Sequence, residues 1–408
     1  MARRYEETHP WISFKATGIN QLNPGFWMLV GEALSKCDHL AGTPLRPDIA
    51  EQFWRVTLIK GARATTAIEG NTLTEEQVKG ILQGTYKAPE SRQYQEQEVR
   101  NMLDALITLD REVMKGKRQT LSVDRLCDFN CQVLKSLDLE PGIVAGAIRD
   151  HSVVVAQYRG APPEDCEYLL RRLCEWLEGP DFIQDDPAVQ FALILTRAVV
   201  AHLYLAWIHP FGDGNGRTAR LVEFLLLARS GCIPLPAAHL LSNHYNLTRD
   251  RYYRELDRAS RNGGDITSFL FYAIQGFVDG IRDEISQIRL QHLHVSWINY
   301  VHDAMTRWPV GKTSERQRAL VLAMPFNDSV RRADMTTLTP KLAAMYASAG
   351  ERTLARDLNR LVKMKLLRRV RGGYAANVDL LAAFLPPMAD SEVYGPELPP
   401  QAEEVSLF

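Results

Sequence analysis

The chain has 408 residues and a mass of 46.1 kDa, with 46% hydrophobic and 24% charged side chains. That is a globular composition and excludes a disordered protein; at ordinary domain sizes the length implies two or three folded units. Lys and Arg number 48 against 49 Asp and Glu, a formal net charge of −1, so a nucleic-acid or membrane partner would have to be met by a local patch.

The N-terminus, MARRYEETHPW, has two arginines with no apolar run behind them, so no signal peptide is expected. Residues 48–64 read as an amphipathic helix with Asp48 near its start, after Pro44 and Pro47. Thr74 opens the next helix, with Gln77 three residues on in capping-box spacing. Periodicity predicts further helices at 94–114, 122–136, 164–178, 187–205, 215–229, 249–260 and 265–290. Between them, Ser152-Val153-Val154-Val155 and Tyr158-Arg159-Gly160, followed by Pro162-Pro163, give the clearest β signal, a small hairpin inside a helical domain. The most apolar stretch, Val189 to Ile208, is interrupted by Gln190, Arg197 and His202 and reads as a buried helix. Six cysteines without a C-x-x-C pair read as free thiols, and a soluble cytoplasmic protein is expected, with no membrane partner.

Composition shifts after about residue 290. A bridging helix at 291–307 leads to Trp308-Pro309-Val310-Gly311, a boundary signal. Beyond it come a helix, an irregular segment, a helix at 351–364, the run Leu366 to Val370, a Gly372-Gly373 turn and Tyr374. A helix followed by a two-strand wing is the layout of a winged helix. Residues 386–408, with five prolines and five acids, read as a flexible tail.

The chemistry is concentrated in Ile208-His209-Pro210-Phe211-Gly212-Asp213-Gly214-Asn215-Gly216-Arg217-Thr218-Ala219-Arg220. Pro210 ends one helix at His209, and three glycines in five positions let the backbone turn tightly beside a ligand. The next helix then starts with free amides, a ready anion site. Arg217 and Arg220, three apart on that helix, suit a polyphosphate. Asp213 is a hard oxygen ligand suited to Mg²⁺ on phosphates, and His209 is a base titrating near neutrality. The combination describes a nucleotide-dependent phosphoryl or nucleotidyl transferase. It is neither a Walker loop nor a dinucleotide fingerprint.

The segment resembles, position for position, the signature His-Pro-Phe-x-Asp/Glu-Gly-Asn-Gly-Arg-x-x-Arg of the Fic (filamentation induced by cAMP) family. Gly146 to Arg149 and Val153 to Pro163 look like that family's flap hairpin and its flanks, Arg251 to Leu256 like its Tyr-Tyr helix, and Gly264 to Thr267 like the helix start after it. The resemblance spans roughly residues 50–280. It implies a mainly α fold, a Fic-type helical bundle with a small β-hairpin flap, followed here by the winged helix-turn-helix domain. It also implies transfer of AMP from ATP to a hydroxyl of a target protein or of the chain itself. Carried over by position, His209 would deprotonate the target Ser, Thr or Tyr and Asp213 would hold Mg²⁺. The Gly214, Asn215 and Gly216 backbone would form the anion hole, with the Asn215 side chain and Arg217 on the inner phosphates. Arg220 would reach the γ-phosphate, Tyr252 and Tyr253 would border the nucleotide, and Val153, Val154 and Val155 would dock the target as an added strand. Thr65 to Asn71 is similar to the family's inhibitory motif Ser/Thr-x-x-x-Glu-Gly/Asn, which makes Glu69 the inhibitory residue; read simply as a helix end, Gly70 is its cap.

The expected layout is therefore 1–109 N-terminal helical region, 110–290 catalytic core, 291–310 linker helix, 311–380 winged helix and 381–408 tail. A related transferase of another phosphate group, a kinase for example, is the alternative on the same fold, although Gly214 and Gly216 favour AMP. A different class of function comes from residues 351–371, where eight Lys/Arg stand against Glu351 and Asp357. They suggest a DNA-binding regulator. The partners expected are ATP and a protein substrate, with a homodimer and DNA as further expectations.

Overall fold

A computed structural model describes residues 3–15, 22–116, 120–155, 158–306, 309–326, 328–347 and 351–381. The expected tail beyond 381 lies outside the described residues. The chain forms two compact units, residues 1–285 and 286–408.

The helices of the first unit are α1 (Arg4–Thr8), α2 (Pro24–Ala41), α3 (Pro47–Ala67), α4 (Glu75–Gln83), α5 (Gln93–Met114) and α6 (Val123–Val133). The hairpin of β1 (Val154–Val155) and β2 (Tyr158–Arg159) follows, then α7 (Pro163–Leu177), α8 (Pro187–Ile208), α9 (Asn215–Ala228), α10 (Leu240–Leu247), α11 (Arg249–Arg261) and the start of α12 (Thr267–Thr306). Local chemistry sets the boundaries. Pro24, Pro47, Pro163 and Pro187 each stand in the first turn of a helix, where the missing N–H costs nothing. The Thr74–Gln77 capping box forms as the spacing predicts, the Gln77 amide donating to Thr74 Oγ1 at 3.3 Å and the Thr74 amide to Gln77 Oε1 at 2.9 Å.

At the centre lies α8, long and apolar enough to cross a membrane, but 83% of its most apolar window is buried in the unit. It packs along α9, while α3 packs on α5, α9 and α10. This arrangement brings the end of α8, the start of α9 and the end of α3 together.

The second unit holds the rest of α12, then α13 (Lys312–Leu322), α14 (Pro340–Tyr346), α15 (Glu351–Lys363) and an antiparallel hairpin of β3 (Leu367–Val370) and β4 (Gly373–Ala376). Val330 adds a one-residue third strand, exchanging backbone bonds with Tyr374 at 2.8 and 3.0 Å. Its core is built on Trp297, Val301, Leu320, Leu342, Leu358 and Leu361.

The sequence reading places no helix at α1 or at α10, and four further differences stand out. The reading has no helix before 48, whereas α2 is there: Pro24-Gly25 resembles a turn, but Asn23 Oδ1 caps the helix by accepting from the Phe26 amide at 3.1 Å. The separate helices at 265–290 and 291–307 are one helix of 40 residues, because the intervening Ser-Gln-Ile-Arg-Leu-Gln-His contains no breaker. The segment read as irregular contains α14, capped by Thr339. Finally, the expected boundary at 109/110 falls inside α5, and the one at 290/291 inside α12.

Candidate active site at the α8–α9 junction

His209 closes α8 in the left-handed region, at φ 51° and ψ 58°. Pro210 behind it disfavours the α conformation, and histidine tolerates this region better than most residues. Gly214, at φ 73°, then starts α9. Asn215 braces the loop between them: its Oδ1 accepts from the Phe211 amide at 2.9 Å and its Nδ2 donates to the Phe211 carbonyl at 2.8 Å. The Asn215 side chain expected on the inner phosphates is thus turned back into the loop. Asn130 of α6 ties the loop from the other side, donating to the Asp213 carbonyl at 2.8 Å while its Oδ1 accepts from the Gly146 amide at 2.9 Å.

The end of α8 is also gripped by Arg149, which is 5% exposed. Its guanidinium donates to the carbonyls of His209 (2.7 Å), His151 (2.6 Å) and Ala161 (2.5 Å). A cation there meets the negative end of the α8 dipole and fixes the base of the flap to the histidine loop. Burial, the largest effect, and the Arg149 charge push the His209 imidazole down to about 4 despite its raising hydrogen bond to the backbone at Ala206. A neutral imidazole at physiological pH is the form that accepts a proton.

Two arginines project from the first turns of α9, each held by acids from elsewhere in the chain. Arg217 donates to Glu98 Oε1 of α5 at 2.7 Å and to Asp213 Oδ1 at 3.0 Å. Asp213 Oδ1 also accepts from the Gly214 amide. Asp213 itself is half-exposed. Among the described residues no group of three His, Cys, Asp or Glu is placed to hold a metal. One carboxylate is what Mg²⁺ commonly takes from protein when phosphates and water complete its shell, so the residues present fit that ion.

Arg220 is buried, its Nη2 donating to Glu69 Oε1 at 2.5 Å and to the Thr65 carbonyl at 2.9 Å. A Cβ on Gly216 would collide with the Glu69 carboxylate, so only glycine lets Glu69 lie across the first turn of α9. Burial would raise the Glu69 carboxyl, but the Arg220 charge and hydrogen bond outweigh it and the net shift is downward. Glu69 is therefore an anion at neutral pH. The turn that carries it is an ordinary helix end, with the Glu69, Gly70 and Asn71 amides donating back to Thr66, Ala67 and Thr66. The helix-end reading and the inhibitory reading describe the same turn.

Asn71 ties that turn down a second time, donating to the Gln95 carbonyl at 2.9 Å and to Glu98 Oε2 at 3.1 Å. Glu98 thus links the turn to Arg217. Burial dominates its titration and raises its carboxyl, with Arg217 opposing.

The two tyrosines separate. Tyr253 is partly exposed and reaches the Ile68 carbonyl at 3.4 Å. Tyr252 is 3% exposed and lies in the core, its hydroxyl 2.7 Å from His202 Nε2. His202 also meets Glu223 at 3.2 Å, so it is a satisfied core histidine, and Tyr252 is correspondingly a support beneath the site instead of a wall of it.

In the hairpin, Val154 pairs with Arg159 and Val155 with Tyr158, and the Gly160 amide donates to the Val153 carbonyl at 3.1 Å. Since bonded and non-bonded pairs alternate, the N–H and C=O of Val154 point away from β2. The β2 side is occupied: His9 Nε2 meets the Arg159 carbonyl at 2.9 Å, and Tyr158 donates to the Trp207 carbonyl at 2.9 Å. Val154 and Val155 of β1 are exposed, and among the described residues the outer edge of β1 is open.

Sequence reasoning singled out neither Glu98 nor Asn130 nor Arg149 as site residues. The signal available for Glu98 was an acid on the apolar face of an amphipathic helix.

Comparison with known proteins converges on this region. Residues 120–227 match the model of the Fic/DOC family. "Protein adenylyltransferase fic-1" of Caenorhabditis elegans is 34% identical over 210 residues, 51% of this chain and 37% of the relative. "Protein adenylyltransferase Fic" of Nematostella vectensis is 29% identical over 206 residues, 50% of this chain and 44% of the relative. The chain thus spans less than half the length of these curated relatives. Among solved structures, a fragment of Caenorhabditis elegans Fic-1 is similar with a TM-score of 0.54 at 27% identity, covering 64% of this chain and 72% of the fragment. A Fic family protein from Desulfovibrio desulfuricans G20 shares the fold, with a TM-score of 0.53 at 21% identity, covering 87% of this chain and 96% of that one.

Proposed function

We propose that the chain, which carries a Fic domain at residues 120–227, is a protein adenylyltransferase held in a restrained state by Glu69. The observation that carries this reading is the Arg220–Glu69 pair at the N-terminus of α9, beside a histidine kept neutral. The names of the relatives favour AMP transfer over the kinase alternative.

In the proposed reaction ATP is the donor. The free amides at the start of α9 take phosphate oxygens, and Arg220 takes the γ-phosphate once Glu69 has left it. Asp213, through the oxygen not engaged by Arg217, would hold Mg²⁺, which supplies charge neutralisation on the phosphates. Arg217 orients that carboxylate from Glu98. A target segment adds to the open edge of β1, using the N–H and C=O of Val154, which sets register without demanding a sequence. His209 accepts the proton of the target hydroxyl as its oxygen bonds to the α-phosphorus. The bond to the bridging oxygen breaks, pyrophosphate departs, and the target carries an AMP ester. Six free thiols suit a reducing, cytoplasmic setting.

Intact-mass spectrometry of the full chain after incubation with ATP and Mg²⁺ tests the reaction class. A gain of one or more AMP units supports it. A gain of phosphate, with none of AMP, would assign the kinase alternative. Light scattering on the same sample reads the expected homodimer.

A further inference from the structure

The second unit presents a charged surface that the transfer reaction does not use. Four exposed side chains, Arg352, Arg356, Asn359 and Lys363, follow one another along α15 at spacings of four, three and four. That spacing puts them in one row on one face of the helix. No acid stands within the row. Asp357, inside the same stretch, is turned into the core, where it accepts from Arg316 at 2.7 Å, Gln317 at 2.7 Å and Tyr346 at 3.0 Å. The cations of the row therefore keep their charge facing solvent.

The wing continues the surface. Arg369 of β3 donates to Asn359 Oδ1 at 2.6 Å, which fixes the hairpin beside the row, and Arg371 is exposed at the hairpin turn. Between helix and wing runs a groove of about 460 Å³ lined by Arg332, Asn359, Arg369 and Tyr374. Arg368 is excluded from this set because Asp379 neutralises it at 3.2 Å. Arg352, Arg356, Lys363, Arg369 and Arg371 remain as one cationic surface on a chain whose net charge is −1.

We propose that this surface binds duplex DNA, with the exposed row of α15 in the major groove and the wing arginines on the flanking backbone. The geometry favours that partner. The 13 residues of α15 make a rod about 20 Å long. The major groove of B-DNA, about 12 Å wide, admits one helix and presents phosphates along both walls. Arginine and lysine bind phosphate, and Asn359 in the middle of the row has an amide of the kind that reads base edges. The deep, narrow major groove of duplex RNA admits no such helix.

The test is fluorescence anisotropy of a labelled 30-base-pair DNA duplex of mixed sequence with the full chain, from about 50 to 200 mM salt. If five cations meet phosphates, the logarithmic salt slope is about −4.5 and affinity falls about 500-fold across that range. The triple change Arg352→Gln, Arg356→Gln and Lys363→Gln should bring the slope to about −2. These side chains are exposed, so the fold should survive, and circular dichroism with a melting curve verifies that. Absence of binding at 50 mM salt overturns the proposal. So does an unchanged slope in the folded triple variant, which would place the DNA elsewhere. Equal affinity for an RNA duplex, or equal competition by polyglutamate, would show a surface for anions in general and likewise overturn it.

Discussion

Glu69 Oε1 lies 2.5 Å from Arg220 Nη2, across a gap that any residue larger than Gly216 would close. The acid and the arginine are 151 residues apart in the chain. Their contact satisfies a guanidinium buried to 1% exposure, which would otherwise be a costly isolated charge. About a third of the Glu69 side chain still meets solvent, so the acid can leave Arg220 without unfolding the core. A triphosphate offers Arg220 the same interaction with more negative charge. On the proposed reading, the resting contact and the substrate contact compete for one guanidinium.

His209→Ala should abolish transfer and leave ATP binding nearly unchanged, because the base acts on the incoming hydroxyl. Loss of such a base costs about 10²–10⁴-fold. Rates of AMP incorporation and ATP titrations of the folded variant check this, and a wild-type rate would remove His209 from the mechanism.

The pH profile provides a separate check. Burial pushes His209 down to about 4, so the imidazole stays neutral, and the base available, as pH falls from 8 to 6. The rate should hold through pH 6.5, where an ordinary histidine would be half protonated. The same shift has a stability consequence: between pH 6.5 and 4 the unfolded chain takes up a proton that the folded chain refuses. Folding stability should therefore fall as pH drops through that window. A rate that halves at pH 6.5 with ATP saturating would contradict the assignment.

Asp213→Asn keeps an oxygen for the Gly214 amide and Arg217 but removes the carboxylate charge. Affinity for ATP with Mg²⁺ should fall by about tenfold or more, and affinity for ATP in chelator should barely change. Titrations of a fluorescent ATP analogue in the two buffers read the difference; an equal loss in both would point to damage to the loop instead.

Glu98→Ala strips Arg217 of one buried partner and Asn71 of another. Urea unfolding should show a loss of about 3 kcal/mol, and Glu98→Gln should recover only part of it, because its single amide oxygen can keep the bond from Arg217 or the one from Asn71 but not both. A loss under about 0.5 kcal/mol, the range of ordinary surface substitutions, would mean that Arg217 needs no acid there.

The sequence carried the chemistry where the chemistry is local. Twelve consecutive residues from His209 to Arg220 hold the histidine, the acid, the glycines and both arginines, so spacing alone assembled them. The Thr74–Gln77 cap was legible for the same reason. Partners contributed from a distance were not: Glu98 lies 119 residues from Arg217, and Arg149 lies 60 from His209. Nothing in local spacing announces such pairs. Asn215 and Tyr252 show the converse limit. Their positions follow the motif, but whether a side chain faces the ligand or the interior depends on Phe211 and His202, which the motif does not specify. The continuity of α12 across residue 290 was hidden because a change of composition need not break a helix.

On the proposed reading, Glu69 restrains a competent transferase by occupying Arg220. The most direct measurement is the intact mass of folded wild-type, Glu69→Gly and Glu69→Gly/Arg220→Ala chains after equal incubation with ATP and Mg²⁺. AMP incorporation in Glu69→Gly should exceed wild type by about tenfold or more, since small misplacements of a reacting group cost that much or more, and the double variant should lose most of that gain. If Glu69 only ended a helix, its replacement by glycine would cost about 1 kcal/mol of stability and release no activity. Incorporation in a folded Glu69→Gly chain at or below the wild-type level would contradict the account.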